Sequence, residues 1–200
     1  YNCMIKPNTS NKISIIVPTY NEKETIIKFL EKVTHQISKN NFDAGIIVVD
    51  DGSPDGTADL ITNFSKTHTN VALLNRREKK GLASACVHGF NHTNSPILGV
   101  MDADLSHPPE RLPDLVSVMD APGQPRADVA IGSRYIAGGS IEGWPLSRHV
   151  MSRAVNFVAR WLLGLSPRDC SSGYRCYRTE LLARMDFQAI TSLGYSFEEE

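Results

Sequence analysis

The sequence is poor in several features, and each scarcity excludes a class of protein. Among 200 residues there are four cysteines, Cys3, Cys86, Cys170 and Cys176, and no two form a C-x-x-C pair. That argues against a zinc site, and the set is too sparse for a disulfide scaffold in a chain of this length. Reduced thiols are expected. The longest apolar run, Phe157 to Leu165, is broken by Arg160 and is far short of the ~20 residues needed to cross a bilayer. The formal net charge is -1, so no overall basic excess points to nucleic acid. There is no G-x-x-x-x-G-K-[ST] and no G-x-G-x-x-G run, which argues against a P-loop NTPase and a dinucleotide-binding dehydrogenase. The histidines are scattered and define no Ser-His-Asp arrangement. The N-x-S/T triplets at Asn8, Asn63 and Asn91 are read as chance occurrences.

The sequence does contain an alternation of short apolar runs with helical patterns. Residues 1–12 read as a flexible leader. Ile13-Val17, Ile46-Val49, Val71-Leu74, Ile97-Met101 and Val129-Ile131 read as strands. Helical periods run from Glu22 to about Gln36, with Ile26, Ile27, Leu30 and Val33 on one face, then over Thr57 to Lys66, Leu82 to Phe90 and Pro109 to Met119. This β-α-β-α order predicts an α/β fold, a Rossmann-like, mostly parallel sheet with helices on both faces. Such sheets bind ligands beyond the carboxyl ends of their strands. Three polar segments fall there: Pro18-Thr19-Tyr20-Asn21-Glu22, Asp50-Asp51-Gly52-Ser53 and Asp102-Ala103-Asp104.

The second half differs in character. Ser133 to Trp144 is glycine-rich and reads as a loop, and Ser147 to about Leu163 as an amphipathic helix. From Arg134 to Arg178 seven arginines face only Glu142 and Asp169, a local excess of five positive charges in a near-neutral chain. Such a concentration is expected to face an anion.

Each polar segment has a structural and a functional reading. Asp102 and Asp104, two residues apart at a strand end, can reach one divalent cation of the kind that bridges carboxylates to phosphates. They can equally make a polar turn before a helix. Asp50 or Asp51 can accept from a nucleobase or ribose, with Gly52 allowing close backbone approach, or make an Asx turn with a helix cap at Asp55 or Thr57. Thr19 or Asn21 can cap the first helix, while Tyr20 and Glu22 are placed against a base and a ribose. His107 reads as a structural group or one that supports the carboxylates rather than as a metal ligand.

In combination, Ile16-Val17-Pro18-Thr19-Tyr20-Asn21-Glu22, Val48 to Thr57, Met101 to Glu110, Ile131 to Tyr135, Gly143 to Arg148 and Ser172 to Arg175 resemble the family-2 glycosyltransferases of the GT-A fold. More narrowly, they are similar to the dolichyl-phosphate (polyprenol-phosphate) mannosyltransferases. The resemblance runs from Ile13 onward and implies one glycosyltransferase domain over 13–200, with a nucleotide half at about 13–104 and an acceptor half at about 105–200. It implies that Pro18, Tyr20, Glu22, Val49, Asp51, Asp102, Ala103, Asp104 and Arg134 bind the nucleotide-sugar. Asp104 and Arg134 would be catalytic. Asp102, Asp104 and, through water, Ser106 would hold Mg²⁺ or Mn²⁺, and Arg148 and Ser152 would grip a lipid phosphate. The implied partners are GDP-mannose, a polyprenyl or dolichyl phosphate, a membrane surface and a small membrane-anchoring subunit. The implied location is the cytoplasmic side of a membrane, endoplasmic reticulum or bacterial inner membrane.

The implied chemistry is self-consistent. A phosphate monoester is already ionised near neutral pH, its second pKa being about 6, so it can attack without a strong base. A single displacement would invert the anomeric centre and give a β-linked mannosyl phosphate. Two departures stand out. Ser106 replaces a glutamine found in some relatives, and the sequence stops at Glu200, before a C-terminal helix and basic loop that relatives carry. A C-terminally truncated chain is therefore expected. The alternatives are a polyprenyl-phosphate glucosyl or other glycosyl transferase, and a non-catalytic nucleotide-sugar-binding domain.

Overall fold

A computed structural model describes residues 11–77, 81–119, 126–136, 139, 145–164, 166–185 and 187, without the side chains of Leu146, Arg148 and Leu163. Most of the leader, the stretch 140–144 and residues 188–200 thus lie outside the described residues.

Six strands form one sheet in the order β3-β2-β1-β4-β6-β5. β1 (Ile13–Thr19) is central and pairs in parallel with β2 (Ala44–Asp50) and β4 (Ile97–Val100). β3 (Val71–Asn75) extends the parallel set beyond β2. β6 (Arg175–Arg178) runs antiparallel between β4 and β5 (Val129–Ile131). The strands alternate between two cores because successive side chains leave a strand on opposite faces. Ile13, Ile15, Val17, Ile46 and Val48 face one core, with Phe29, Leu30 and Val33 of α1 (Ile26–Lys39), Ile61 of α2 (Thr57–Ser65) and Leu112, Leu115 and Met119 of α4 (Leu112–Met119). Ile16, Ile47, Val49 and Val100 face the other, with Ala85, Cys86 and Phe90 of α3 (Leu82–Phe90). Gly89 of α3 leaves no room for a side chain, since a Cβ there would come within 2.5 Å of Ile16.

The sequence-derived elements need four corrections. The first helix starts at Ile26 and not at Glu22, because Glu22 to Thr25 forms a turn stapled to the β2 loop. The helix entered through prolines begins with a 3-10 turn, Pro109–Arg111, before α4. Strand β6 was not anticipated; its R-C-Y-R text carries no apolar run. A short helix α6 (Thr179–Leu182) follows it. The amphipathic helix, α5 here (Leu146–Leu163), matches its expected span to within a residue and ends on Gly164 in the left-handed conformation (φ 65°), a common helix stop.

Candidate active site

The parallel strands deliver three loops to one edge. Asp50 is fully buried at the end of β2. It accepts hydrogen bonds from Thr19 Oγ1 at 3.2 Å, Ser53 N at 2.9 Å and Ser53 Oγ at 2.6 Å. The loop after β1 is then stapled along the entrance to α2: Asn21 N donates to Ser53 Oγ (2.9 Å), Glu22 N to Thr57 Oγ1 (3.1 Å) and Lys23 N to Asp55 Oδ2 (3.1 Å). The Thr57 hydroxyl in turn holds the Asp55 carboxyl below its ordinary range. Neither Thr19 nor Asn21 caps α1; these contacts take Thr19 to Asp50 and leave Asn21 at φ 61°. Tyr20 is left 38% exposed at the rim.

Asp51 is buried against Arg76, whose Nε donates to Asp51 Oδ1 at 2.5 Å and whose Nη2 pairs with the same oxygen. Gly81 N donates to Asp51 Oδ2 at 3.1 Å. Gly52 has φ 73°, and a Cβ there would lie 3.1 Å from the Arg76 carbonyl oxygen. The backbone that approaches Gly52 is thus the chain's own segment at Arg76–Arg77. Val49 and Pro18 are buried, and the Val49 side chain is sealed in the core, so the loop edge meets it through the backbone.

Asp102 and Asp104 follow β4. Asp102 is mostly buried, and burial first, then the charges of Asp104 and Glu22, push its carboxyl up to about 6. The charges of Glu22, on the loop after β1, and of Asp104 thus reach Asp102. Leu105 has φ 65°, a costly conformation for a branched side chain; the turn is closed by Ser106 N donating to Asp104 Oδ1 at 2.9 Å. Ala103 is buried beneath. His107 folds back: the Asp102 N–H donates to His107 Nδ1 at 3.0 Å, and His107 Nε2 lies 3.6 Å from Asp102 Oδ2. Because Nδ1 accepts, the ring proton sits on Nε2. Burial, its main cause, pushes the His107 pKa down to about 4, so this contact is a neutral imidazole facing a carboxylate and not an ion pair at neutral pH.

Beyond His107 lies the arginine-rich half. Arg134, after β5, meets Asp169 with Nε on Oδ2 (2.8 Å) and Nη2 on Oδ1 (2.7 Å), and its own N–H donates to Oδ2 at 3.0 Å. Burial would raise the Asp169 pKa, but the Arg134 guanidinium and N–H outweigh it and hold the carboxyl below its usual value. Tyr135 Oη donates to Ser152 Oγ at 2.7 Å, and Arg153 lies over the Tyr135 ring at 6.0 Å. Asn156, buried on α5, accepts from Cys170 N at 2.6 Å and donates to Ser171 Oγ at 3.2 Å. Between α5 and the loop after β5 opens a cavity of about 480 Å³, whose lining includes Arg134, Arg153, Arg160 and Arg168 and, among the described residues, no acidic side chain.

The expected concentration of positive charge therefore splits. Arg175 donates to the backbone oxygens of Ser172 and Cys170, and Arg178 to those of Ala127 and Met119, so these two brace the chain and do not face the cavity. The Arg148 side chain lies outside the described residues, and Ser152 sits on the face of α5 that meets Tyr135. The loops carrying Glu22, Asp102 and Asp104 are brought together, and Arg134 is close enough to His107 to lower its pKa. Sequence reasoning missed Arg76, Asp169, Asn156 and Tyr174 as shapers of the site. Asp169, one of two acids among seven arginines, was the one with a legible signal.

A parallel sheet of this order, with a carboxylate pair at the end of its fourth strand and a mixed edge beyond it, defines a GT-A glycosyltransferase. Residues 14–185 match glycosyl transferase family 2, and the chain belongs to that family. It is 40% identical over 188 residues to a polyprenol monophosphomannose synthase of Mycolicibacterium smegmatis, covering 92% of this chain and 68% of that protein. It is 35% identical to a dolichol-phosphate mannosyltransferase of Pyrococcus furiosus, over 90% of this chain and 49% of the relative. Among solved structures, a glucosyl-3-phosphoglycerate synthase from Mycobacterium tuberculosis with Mn²⁺, UDP-glucose and phosphoglyceric acid superposes with a TM-score of 0.66 at 23% identity, over 95% of this chain and 63% of that one. A mannosyltransferase from Pyrobaculum calidifontis with GDP-mannose and Mn²⁺ gives 0.54 at 21% identity, over 84% of this chain and 51% of that one. At these identities the two structures show the fold, and the chain spans less than two thirds of either.

Proposed function

We propose that the chain transfers mannose from GDP-mannose to a polyprenyl phosphate, with inversion, yielding a β-linked polyprenyl mannosyl phosphate and GDP. The observation that carries the lipid acceptor is the outer face of α5. Met151, Phe157, Val158, Trp161 and Leu162 are exposed there, Trp161 to 78%, and Arg153 and Arg160 border them beside the arginine-lined cavity. An apolar face edged with arginines suits a membrane interface, and the cavity beside it suits a phosphate at headgroup depth. No described helix is long and apolar enough to cross a membrane, so α5 lies on the surface in this reading. The names of the relatives favour mannose and a polyprenol phosphate over other pairs.

The donor side fits a divalent cation. Burial first, and then the charges of Asp104 and Glu22, raise the Asp102 pKa, and a cation beside the carboxylate offsets that penalty. Among the described residues no group of three or more His, Cys, Asp or Glu could hold the ion alone, so Asp102 and Asp104, with Ser106 through water, would supply part of its shell and the diphosphate the rest. Bound there, Mg²⁺ or Mn²⁺ would supply charge stabilisation for the leaving diphosphate. Tyr20 and Glu22 would flank the base and ribose. Arg134, fixed by Asp169, would hold the acceptor phosphate close to the donor without reorganising as charge moves. The acceptor is already an anion, so no side chain needs to remove a proton.

The test is transfer itself. The protein is incubated with Mn²⁺, GDP-[³H]mannose and dolichyl or undecaprenyl phosphate, and label in the organic phase is counted. Label retained in water while calorimetry still detects GDP-mannose would favour a non-catalytic binding module, and binding of no nucleotide-sugar would overturn the reading.

A further inference from the structure

His107, in contact with Asp102, takes no part in the proposed transfer. His107 grips Asp102 from two sides, at the backbone N–H through Nδ1 (3.0 Å) and beside carboxylate Oδ2 through Nε2 (3.6 Å). The imidazole is itself immobilised. It stacks on Tyr174 with centroids 5.1 Å apart and planes 10° from parallel. Tyr174 is 3% exposed, and its hydroxyl donates to the Pro108 carbonyl at 3.4 Å. Gly132 packs so closely on Tyr174 that a Cβ there would come 3.0 Å from the ring, and Gly132 N donates to the Tyr174 carbonyl at 2.8 Å. The end of β5 thus buttresses Tyr174, Tyr174 buttresses His107, and His107 fixes Asp102.

We propose that His107 is a positioning residue, which presents Asp102 to a divalent cation and makes cation affinity depend on a ring braced from the acceptor half of the fold. The inference rests on the reading of Asp102 as a metal ligand. Leu105 at φ 65° leaves this turn in a backbone conformation that needs outside support. A ring that accepts from the main chain at Nδ1 and stands beside the carboxylate at Nε2 supports both ends of one residue. Partners of this kind commonly change metal affinity by about 10–100-fold when removed.

The experiment measures Mn²⁺ affinity of the intact protein in the presence of GDP, from the free Mn²⁺ EPR signal, with the melting temperature recorded for each variant. His107→Phe keeps the stack on Tyr174 and loses both polar contacts; it is expected to weaken Mn²⁺ by about tenfold or more while GDP binding in EDTA is unchanged. His107→Gln, whose amide oxygen accepts and nitrogen donates, is expected to stay within about threefold of wild type, on the scale of a single retained hydrogen bond. Wild-type Mn²⁺ affinity in His107→Phe, or equal weakening in both variants, overturns the positioning role. Asp102→Asn separates the two layers. If it binds Mn²⁺ like wild type, the metal reading itself fails; if it loses Mn²⁺ while His107→Phe does not, only the role of His107 fails. Should His107→Phe not fold, His107→Asn keeps an acceptor for the Asp102 N–H and loses the second contact. Weakened Mn²⁺ binding at an unchanged melting temperature then supports the proposal, and wild-type binding overturns it.

Discussion

Asp169 holds Arg134 by three hydrogen bonds, two from the guanidinium and one from the backbone N–H, with the carboxylate fully buried and the arginine partly open to the cavity. This fork fixes a positive charge at the cavity mouth. Asp169→Asn is expected to cost about 3 kcal/mol, the usual scale for breaking a buried pair. The sign with pH follows from the depressed Asp169 pKa. Its contribution is present above the unfolded aspartate value and lost as pH falls through the lower folded value. Urea denaturation should show a gap between wild type and variant at pH 7 that closes well below pH 4.

Asp102 predicts the opposite sign. Its carboxyl, raised from 3.8 to about 6 mainly by burial, makes the charged form unfavourable when no cation offsets it. The penalty appears as pH rises between those values and is complete at neutral pH, on the order of 3 kcal/mol for two pKa units. Asp102→Asn should therefore melt several degrees higher than wild type at pH 7 without metal, with little difference at pH 4. A lower melting point at pH 7 would show that burying the Asp102 charge carries no such penalty.

Asp104→Asn should abolish Mn²⁺-dependent GDP-mannose binding with the fold intact, because Asp104 is exposed and accepts only a local hydrogen bond, from the neighbouring Ser106 N, among the described residues. Calorimetry with and without EDTA checks this. Unchanged metal-dependent affinity would remove Asp104 from the ligand set.

Phe157 and Trp161, 71% and 78% exposed, should enter lipid when α5 docks. Burial of side chains this size contributes ~1.5–3 kcal/mol each, so the double serine variant should bind phosphatidylglycerol vesicles at least about tenfold more weakly. Its melting temperature should not move. Arg153→Gln with Arg160→Gln should remove the salt-sensitive part of vesicle binding.

Gly52→Ala should destabilise by about 1–3 kcal/mol, since φ 73° is strained for any side chain and the new Cβ would crowd the Arg76 carbonyl. The loss should appear in thermal melts without any ligand, because the crowding is internal.

The amino-acid sequence by itself determined the alternation of elements, the parallel core and the three loops at its edge. Those depend on local periodicity and on the fixed hand of β-α-β crossovers, so Ile13, Ile46 and Ile97 announce their strands without help. It also carried the family motifs from Pro18 to Arg175. Tertiary structure alone decided what each polar side chain touches. Asp51 meets Arg76, 25 residues away; Arg134 meets Asp169, 35 residues away; Arg178 turns to a carbonyl 59 residues back. No local period encodes such pairs. The same holds for β6, whose R-C-Y-R text becomes a strand because β4 and β5 leave an unpaired ladder between them. Which arginines face the cavity and which brace the backbone is a matter of where the chain returns; once Arg175 and Arg178 lie inward, the cost of burying unpaired donors sets them on carbonyl oxygens.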